Sequence, residues 1–375
     1  MNRKIKSIAF YLPQFHPIPE NDEAYGEGFT EWTNVKKAQP LFEGHYQPRV
    51  PLHEDYYSLL DPQVMVEQAR LAKQYGVYGF CYYHYWFSGG KKLLEKPVEM
   101  MLETPAIDIP FCLCWANENW SKRWDGGDNG IIAMQSYGDL EDVKNHVDYL
   151  CRFFEDSRYI RIDGAPLLLI YKPELIPNLT EVVSCIREQA EANGFSEIRL
   201  AVQYPKYYLD GQGLDLFDYY IQFEPALNFE KTITWRKAIK NIMIKLGLKK
   251  FSQSLRNSNA YYAIKTNPSH HDYDEVWSQI VNDRCEDRRV IPCGFVDWDN
   301  TARNKSGHVF DGASPEKFQH YLSQLVKKVS ESDAADMIFI NAWNEWAEGC
   351  YLEPDEKYGY AYLEAHKAAL EQNGQ

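Results

Sequence analysis

The sequence predicts an α/β fold, a single (β/α)8 barrel, and three observations carry that prediction. Eight short runs rich in β-branched and aromatic residues recur along the 375 residues. Helical patterns separate them, and the runs are nearly continuous in apolar residues, as strands covered on both faces of a parallel sheet must be. The runs are Ser7–Leu12, Val77–Tyr83, Pro110–Trp115, Leu167–Tyr171, Arg199–Gln203, Tyr219–Phe223, Val290–Val296 and Met337–Ala342. Between them, Asp61 as N-cap, Pro62 in the first turn and Gly76 past the end bracket one helix. Thr180 and Gly194 bracket another, and Ser314 with Pro315 starts a third. Eight alternations favour a closed barrel over an open doubly wound sheet. Neither G-x-G-x-x-G after a strand nor G-x-x-x-x-G-K-[ST] occurs, which argues against nucleotide-binding folds.

Residues 1–375 therefore read as one catalytic domain with loop insertions at the C-terminal face of the barrel. One stretch departs in composition. From Lys231 to Arg256 there are eight basic residues and no acidic ones, interleaved with Ile239, Ile242, Ile244, Leu246 and Leu248. This is a basic helical insertion, either a solvated element packed by its apolar stripe or a contact for a membrane surface or lipid-linked glycan. The rest of the chain is acidic. With 40 basic against 54 acidic residues the net charge is −14, the wrong sign for a general nucleic-acid binder.

The opening MNRKIKSIAFYLPQFHP has no apolar run of the roughly 7–15 residues a secretion signal needs, and reads as the first strand. No run approaches the roughly 20 apolar residues of a membrane-spanning helix. The cysteines sit mainly in apolar segments (Cys81, Cys112, Cys114, Cys151, Cys185, Cys293), which suits reduced, buried thiols and a cytoplasmic location, at most peripheral to the inner membrane. Neither Cys112/Cys114 nor His270-His271-Asp272 has the partners of a metal site, so no metal is expected.

The function signal is aromatic. The chain holds 10 Trp, 27 Tyr and 18 Phe, 15% of its residues, and many fall just after predicted strands, where barrel enzymes carry their chemistry. These positions supply candidate substrate contacts: Tyr11 at the end of the first run; Trp86 after the second; Trp115 at the end of the third with Asn117, Glu118 and Trp120 after it; Tyr171 at the end of the fourth; Asp297 and Trp298 after the seventh; Trp343, Asn344, Trp346 and Glu353 after the eighth. Flat rings beside amides and carboxylates suit an oligosaccharide or polysaccharide, whose C–H faces stack while its hydroxyls hydrogen-bond. Within Asn341-Ala-Trp-Asn-Glu-Trp-Ala-Glu-Gly349, Glu345 and Glu348 are the candidate catalytic pair. Glycosidic chemistry needs two carboxyl groups about 5–5.5 Å apart for retention or about 6.5–9.5 Å for inversion. At i and i+3 they are neighbours only if the chain leaves the strand in a helical turn. His84, between tyrosines, reads as a hydrogen-bonded core histidine.

Ser7–Pro17 (SIAFYLPQFHP), Gly79–Trp86 (GFCYYHYW), Trp115–Trp120 (WANENW) and Trp343–Pro354 (WNEWAEGCYLEP) together resemble the WbsX-like family of polysaccharide-biosynthesis proteins, related to family 99 of the glycoside hydrolases. The resemblance spans nearly the whole chain. It implies a (β/α)8 barrel without metal or cofactor and a retaining, endo-α-mannosidase-like reaction in surface polysaccharide or O-antigen metabolism. By that likeness Glu345 deprotonates the sugar 2-hydroxyl, giving a 1,2-anhydro intermediate, and Glu348 serves as acid/base at the glycosidic oxygen. Two alternatives stand beside it: a glycosyltransferase using a nucleotide- or lipid-linked sugar, and a glycan-binding protein without turnover.

Overall fold

The computed structural model describes residues 4–121, 130–203, 214–228, 267–283, 288–332 and 335–374. The basic stretch 231–256 lies outside the described residues. All eight predicted runs are strands: β1 (Lys6–Tyr11), β2 (Gly79–Phe87), β3 (Phe111–Trp115), β4 (Ala165–Ile170), β5 (Arg199–Gln203), β6 (Tyr219–Gln222), β7 (Val290–Phe295) and β8 (Met337–Asn341). They pair in parallel in chain order. The circle closes where β1 meets both β2, with Ile8 opposite Gly79, and β8, with Lys6 opposite Met337. Closure leaves the barrel without an open edge, and its near-complete burial explains why the strands read as unbroken apolar runs.

The helix signals act as expected at two of three sites. The Asp61 carboxylate accepts from the backbone N–H of Gln63 at 2.9 Å to start the Pro62–Gln74 helix, and Gly76 follows its end at φ +82°. Ser314 accepts from the Lys317 N–H at 3.3 Å and starts the Pro315–Ser330 helix. The helix expected at Thr180 begins at Leu179 instead, with Asn178 in the N-cap position.

One boundary matters for function. β2 runs to Phe87 rather than ending at Tyr83, because Tyr85–Phe87 pairs antiparallel with Lys91–Leu93. The motif Tyr82-Tyr-His-Tyr-Trp86 is therefore strand, and its side chains alternate between the barrel interior and the surrounding helices. Tyr83 and Tyr85 turn inward. Tyr82, His84 and Trp86 turn outward, with Trp86 stacked on His146 of the Leu140–Phe154 helix at 4.7 Å.

The exit of β8 is held by Glu353. Its Oε1 accepts from Gln68 Nε2 at 2.6 Å and Trp343 Nε1 at 3.0 Å; its Oε2 accepts from Trp346 Nε1 at 2.7 Å and the Tyr57 hydroxyl at 2.8 Å. Burial pushes its carboxyl up to about 7 against the pull of these four donors. Gln68 in turn accepts from the Tyr11 hydroxyl at 2.6 Å, so the network ties the Pro62–Gln74 helix, β1 and the segment after β8 together. Replacing Glu353 by Leu strands several buried donors, each costing about 1–3 kcal/mol. Urea unfolding of Glu353→Leu is expected to show a loss of at least about 3 kcal/mol; a loss below about 0.5 kcal/mol would remove Glu353 from this role.

Candidate functional site

Beyond β8 the chain makes a tight hairpin. Asn344–Glu345 pairs antiparallel with Cys350–Tyr351, and a single 3-10 turn, Trp346–Glu348, joins them. Gly349 closes the turn at φ +63°, where a Cβ would lie 3.0 Å from Asp299 and from the Arg49 guanidinium. The hairpin is fixed to β1 by Asn344, whose side chain accepts from the Leu12 N–H at 2.7 Å and donates to the Leu12 carbonyl at 3.0 Å. This geometry sets Glu345 before the turn and Glu348 at its end, and both side chains line one cleft of about 890 Å3 at the C-terminal mouth of the barrel.

A single guanidinium holds the two carboxylates. Arg303, in the segment after β7, donates through one nitrogen to Glu348 and through the other to Glu345 Oε2 at 3.0 Å and Glu31 Oε1 at 2.5 Å. Glu31 is fully buried behind the cleft. Burial and the neighbouring Glu348 push Glu345 up to about 8, partly offset by Arg303; burial also raises Glu348. Such a pair titrates as a unit, and burial favours keeping a proton on it. One carboxyl group able to donate beside one able to accept is the equipment of general acid–base chemistry.

The Arg303 segment is itself anchored. Asp299 accepts from His45 Nε2 at 2.9 Å, Gln47 Nε2 at 2.8 Å and the Thr301 hydroxyl at 2.5 Å. Burial raises its carboxyl, but His45, the Arg49 charge and these other donors outweigh it and hold it down at about 2. The Asp299 N–H also donates to the Glu348 carbonyl at 2.7 Å, joining this segment to the hairpin.

Of the substrate contacts expected from sequence, Glu118, Trp120, Tyr171 and Trp298 line the cleft. Glu118 pairs there with Lys172, both partly exposed, and Trp120 meets Tyr85 edge-on at 4.9 Å. The others lie in the supporting wall. Tyr11 bonds Gln68 on the helix side of β1, and Trp86 and Trp115 pack on His146, the Trp115 indole donating to the Trp86 carbonyl at 3.1 Å. Asn117 staples two loops, accepting from the Lys172 N–H and donating to the Lys172 carbonyl, each at 2.7 Å. Asp297 pairs with Arg49 at 2.8 Å. Trp343, Asn344, Trp346 and Glu353 hold the hairpin, with Trp346 stacked on Tyr351 at 3.8 Å. For Tyr11, Trp86 and Trp115 the physical reason is parity, since on a strand only alternate residues face the interior; the others lie past the strand ends and are drawn into the hydrogen bonds and packing that fix the loops.

Tyr83, Tyr85, Asn300, Arg303 and Asn304 line the cleft without having been expected to. The two tyrosines were readable by counting in twos from inward-facing Cys81. Arg303 and Glu31 carry no local signal, because only folding brings them together.

His84 meets His146 at 3.0 Å on the helix side, where burial holds it down at about 3. His270 pairs with Asp311 at 2.9 Å, His271 with His308 at 2.9 Å, and Asp272 caps the Tyr273–Asn282 helix. Among the described residues there is no cluster of three metal-ligating side chains, and no helix is long and apolar enough to cross a membrane. The seven described cysteines are buried free thiols.

Three solved structures share the fold. Two are of the GH99 endo-alpha-mannosidase from Bacteroides thetaiotaomicron, both 14% identical: one with TM-score 0.51, covering 98% of this chain and 96% of that one, and one in complex with bis-tris-propane with TM-score 0.54, covering 98% and 97%. The third, a glycoside hydrolase-like protein, is 14% identical with TM-score 0.54, covering 98% and 94%. In sequence, the chain is 38% identical over 367 residues to the uncharacterized protein WxcX from two strains of Xanthomonas campestris pv. campestris. That match takes in 97% of this chain and 49% of each relative, so the chain spans about half the length of the curated relatives it matches. The family model described as Glycosyltransferase WbsX matches residues 7–366, and by that match this chain belongs to the WbsX glycosyltransferase family.

Proposed function

We propose that this protein is a carbohydrate-active enzyme that breaks or transfers a glycosidic bond in polysaccharide metabolism, with Glu345 and Glu348 as its catalytic pair. The observation that carries this reading is the pair itself: two carboxyl groups, Glu345 buried and Glu348 partly buried, sharing one guanidinium in a cleft walled by Tyr83, Tyr85, Trp120, Tyr171 and Trp298. A proton shared by such a pair supplies a donor for the leaving oxygen and an acceptor for a hydroxyl without further parts. In the retaining, endo-α-mannosidase-like route, Glu345 takes the proton of the sugar 2-hydroxyl. That oxygen attacks the anomeric carbon while Glu348 protonates the departing oxygen; water or an acceptor hydroxyl then attacks the anomeric carbon, giving its proton to Glu348, and Glu345 returns its proton to the 2-oxygen as the anhydro ring opens. Arg303 keeps the pair in place and stabilises the ionised member.

A glycosyltransferase reaction is favoured by the family's description. The charge of the cleft weighs against an activated phosphate donor. Among the described lining residues, Glu118, Glu174, Glu345 and Glu348 face only Lys172 and Arg303 as cations, and both cations are already paired with carboxylates. A pyrophosphate would enter against a net negative field. Transfer between glycans, with no phosphate at the reacting centre, fits both the family and the cleft.

Mass spectrometry of products from a panel of α-mannosyl and bacterial repeat-unit oligosaccharides tests the reading. Wild type is expected to shorten or transfer them, and Glu348→Gln to lose at least about 100-fold in rate. Turnover only with nucleotide- or lipid-linked sugars, or full activity in Glu348→Gln, would overturn it. The pH profile follows from the shared proton. Burial raises the pair, Glu345 to about 8, and because the two titrate together the proton belongs to the pair, the reactive form being the one that carries it on Glu348. The rate constant kcat/KM is expected to fall above about pH 8 as that proton is lost; a profile flat from neutrality to pH 10 would contradict the acid role.

A further inference from the structure

Glu31 lies outside every motif that marks the cleft in sequence, yet on it rests Arg303, the one guanidinium among the described lining residues. It opens the Glu31–Lys37 helix, which is seated on both sides: the Glu31 N–H donates to the Gln14 carbonyl at 2.9 Å, and Trp32 packs against Trp346 at 5.3 Å. Its Oε1 accepts from Arg303 at 2.5 Å and from the backbone N–H of Ala347 at 3.3 Å, the second contact falling between Glu345 and Glu348 in the chain. Glu31 is buried and does not line the cleft, so it cannot touch a bound sugar.

We propose that Glu31 is a positioning residue for the Glu345/Glu348 pair. It holds the Arg303 guanidinium and the Ala347 peptide from behind, and thereby sets where the cation sits between the two carboxyl groups and how much of its charge each receives. The catalytic consequence rests on the glycosidic reading of the pair given above; the positioning itself does not.

The physical argument has one sign. Arg303 divides its charge among three carboxylates, one nitrogen serving Glu348 and the other split between Glu345 and Glu31. Neutralising Glu31 removes its repulsion of the pair and leaves the full field of Arg303 on the remaining two, and both changes favour their ionised forms. The other groups whose charges act between themselves and the pair are Tyr83 and Tyr85 from β2, Tyr171 after β4 and Cys350 on the hairpin, with Glu118 across the cleft facing Tyr85 and Tyr171. None of them changes when residue 31 is substituted. A Glu31 that served only to fill space would alter stability and leave the titration of the pair alone.

The test is a pH titration followed by carboxyl 13C NMR on protein labelled at glutamate, with the pair assigned through Glu345→Gln and Glu348→Gln. In wild type one carboxyl of the pair is expected to titrate far above the ordinary carboxylate range. In Glu31→Gln that midpoint is expected to fall by about one pH unit or more. Glu31→Asp, which keeps the charge but withdraws it by one methylene, is expected to fall between the two. A folded Glu31→Gln whose midpoint is unchanged or higher would overturn the proposal. If Glu31→Gln does not fold, Glu31→Asp decides, and an unchanged midpoint there counts against it equally. No turnover is needed, so a wild type inert toward every glycan would sink the glycosidic reading while the titration still judged Glu31.

Discussion

Three carboxylates converge on Arg303 in a space where an unpaired buried charge costs several kcal/mol. Without the guanidinium, Glu31, Glu345 and Glu348 would repel one another across a hairpin that is held to β1 by Asn344 and to Glu353 by Trp343 and Trp346. With it, the hairpin, the segment after β7 and the helix after β1 become one electrostatic unit. Arg303 is in turn immobilised from outside the cleft. Asp299, four residues before Arg303, is gripped by His45 and Gln47, and its backbone N–H reaches the Glu348 carbonyl. Position and charge are thus settled by the same residues, which is how a site keeps a proton where chemistry needs it.

The aromatic wealth of the chain divides into two populations with different work. Tyr83, Tyr85, Trp120, Tyr171 and Trp298 face the cleft. Trp86, Trp115, Trp343 and Trp346 are turned away, and their indole nitrogens or ring faces are spent on neighbours: His146 for the first two, Glu353 for the last two. The outward set fills space between barrel and helices and carries hydrogen bonds that keep strand exits from shifting. Rigid walls are what allow the rings that line the mouth to present a fixed face to a ligand.

The barrel was almost wholly legible from sequence because it follows from repetition. Eight apolar runs, Asp61 and Ser314 as caps, and Gly76 after a helix each report a local physical demand, and local demands leave local traces. The carboxyl pair was legible for the same reason, since Glu345 and Glu348 share one turn. The supporting set was misassigned where composition was used without parity. Trp86 and Tyr11 stand at the right height in the barrel but on the wrong face, and Glu353 reads as a sugar-facing acid until its four donors are seen together. Glu31 and Arg303 illustrate the opposite limit. Each is an ordinary charged residue in its own neighbourhood, and the meaning of each comes from a contact across most of the chain.

Closure of the barrel between β1 and β8 also places this site under a temporal order. The helix that carries Glu31 leaves the ribosome early and Arg303 much later, while the hairpin with Glu345 and Glu348 emerges near the end of the chain described here. The cation and its first anion are therefore both synthesised before the acidic pair. A nascent chain that stalls before β8 has neither a sealed barrel nor the two carboxyl groups, so the barrel and the carboxyl cluster around Arg303 are completed together.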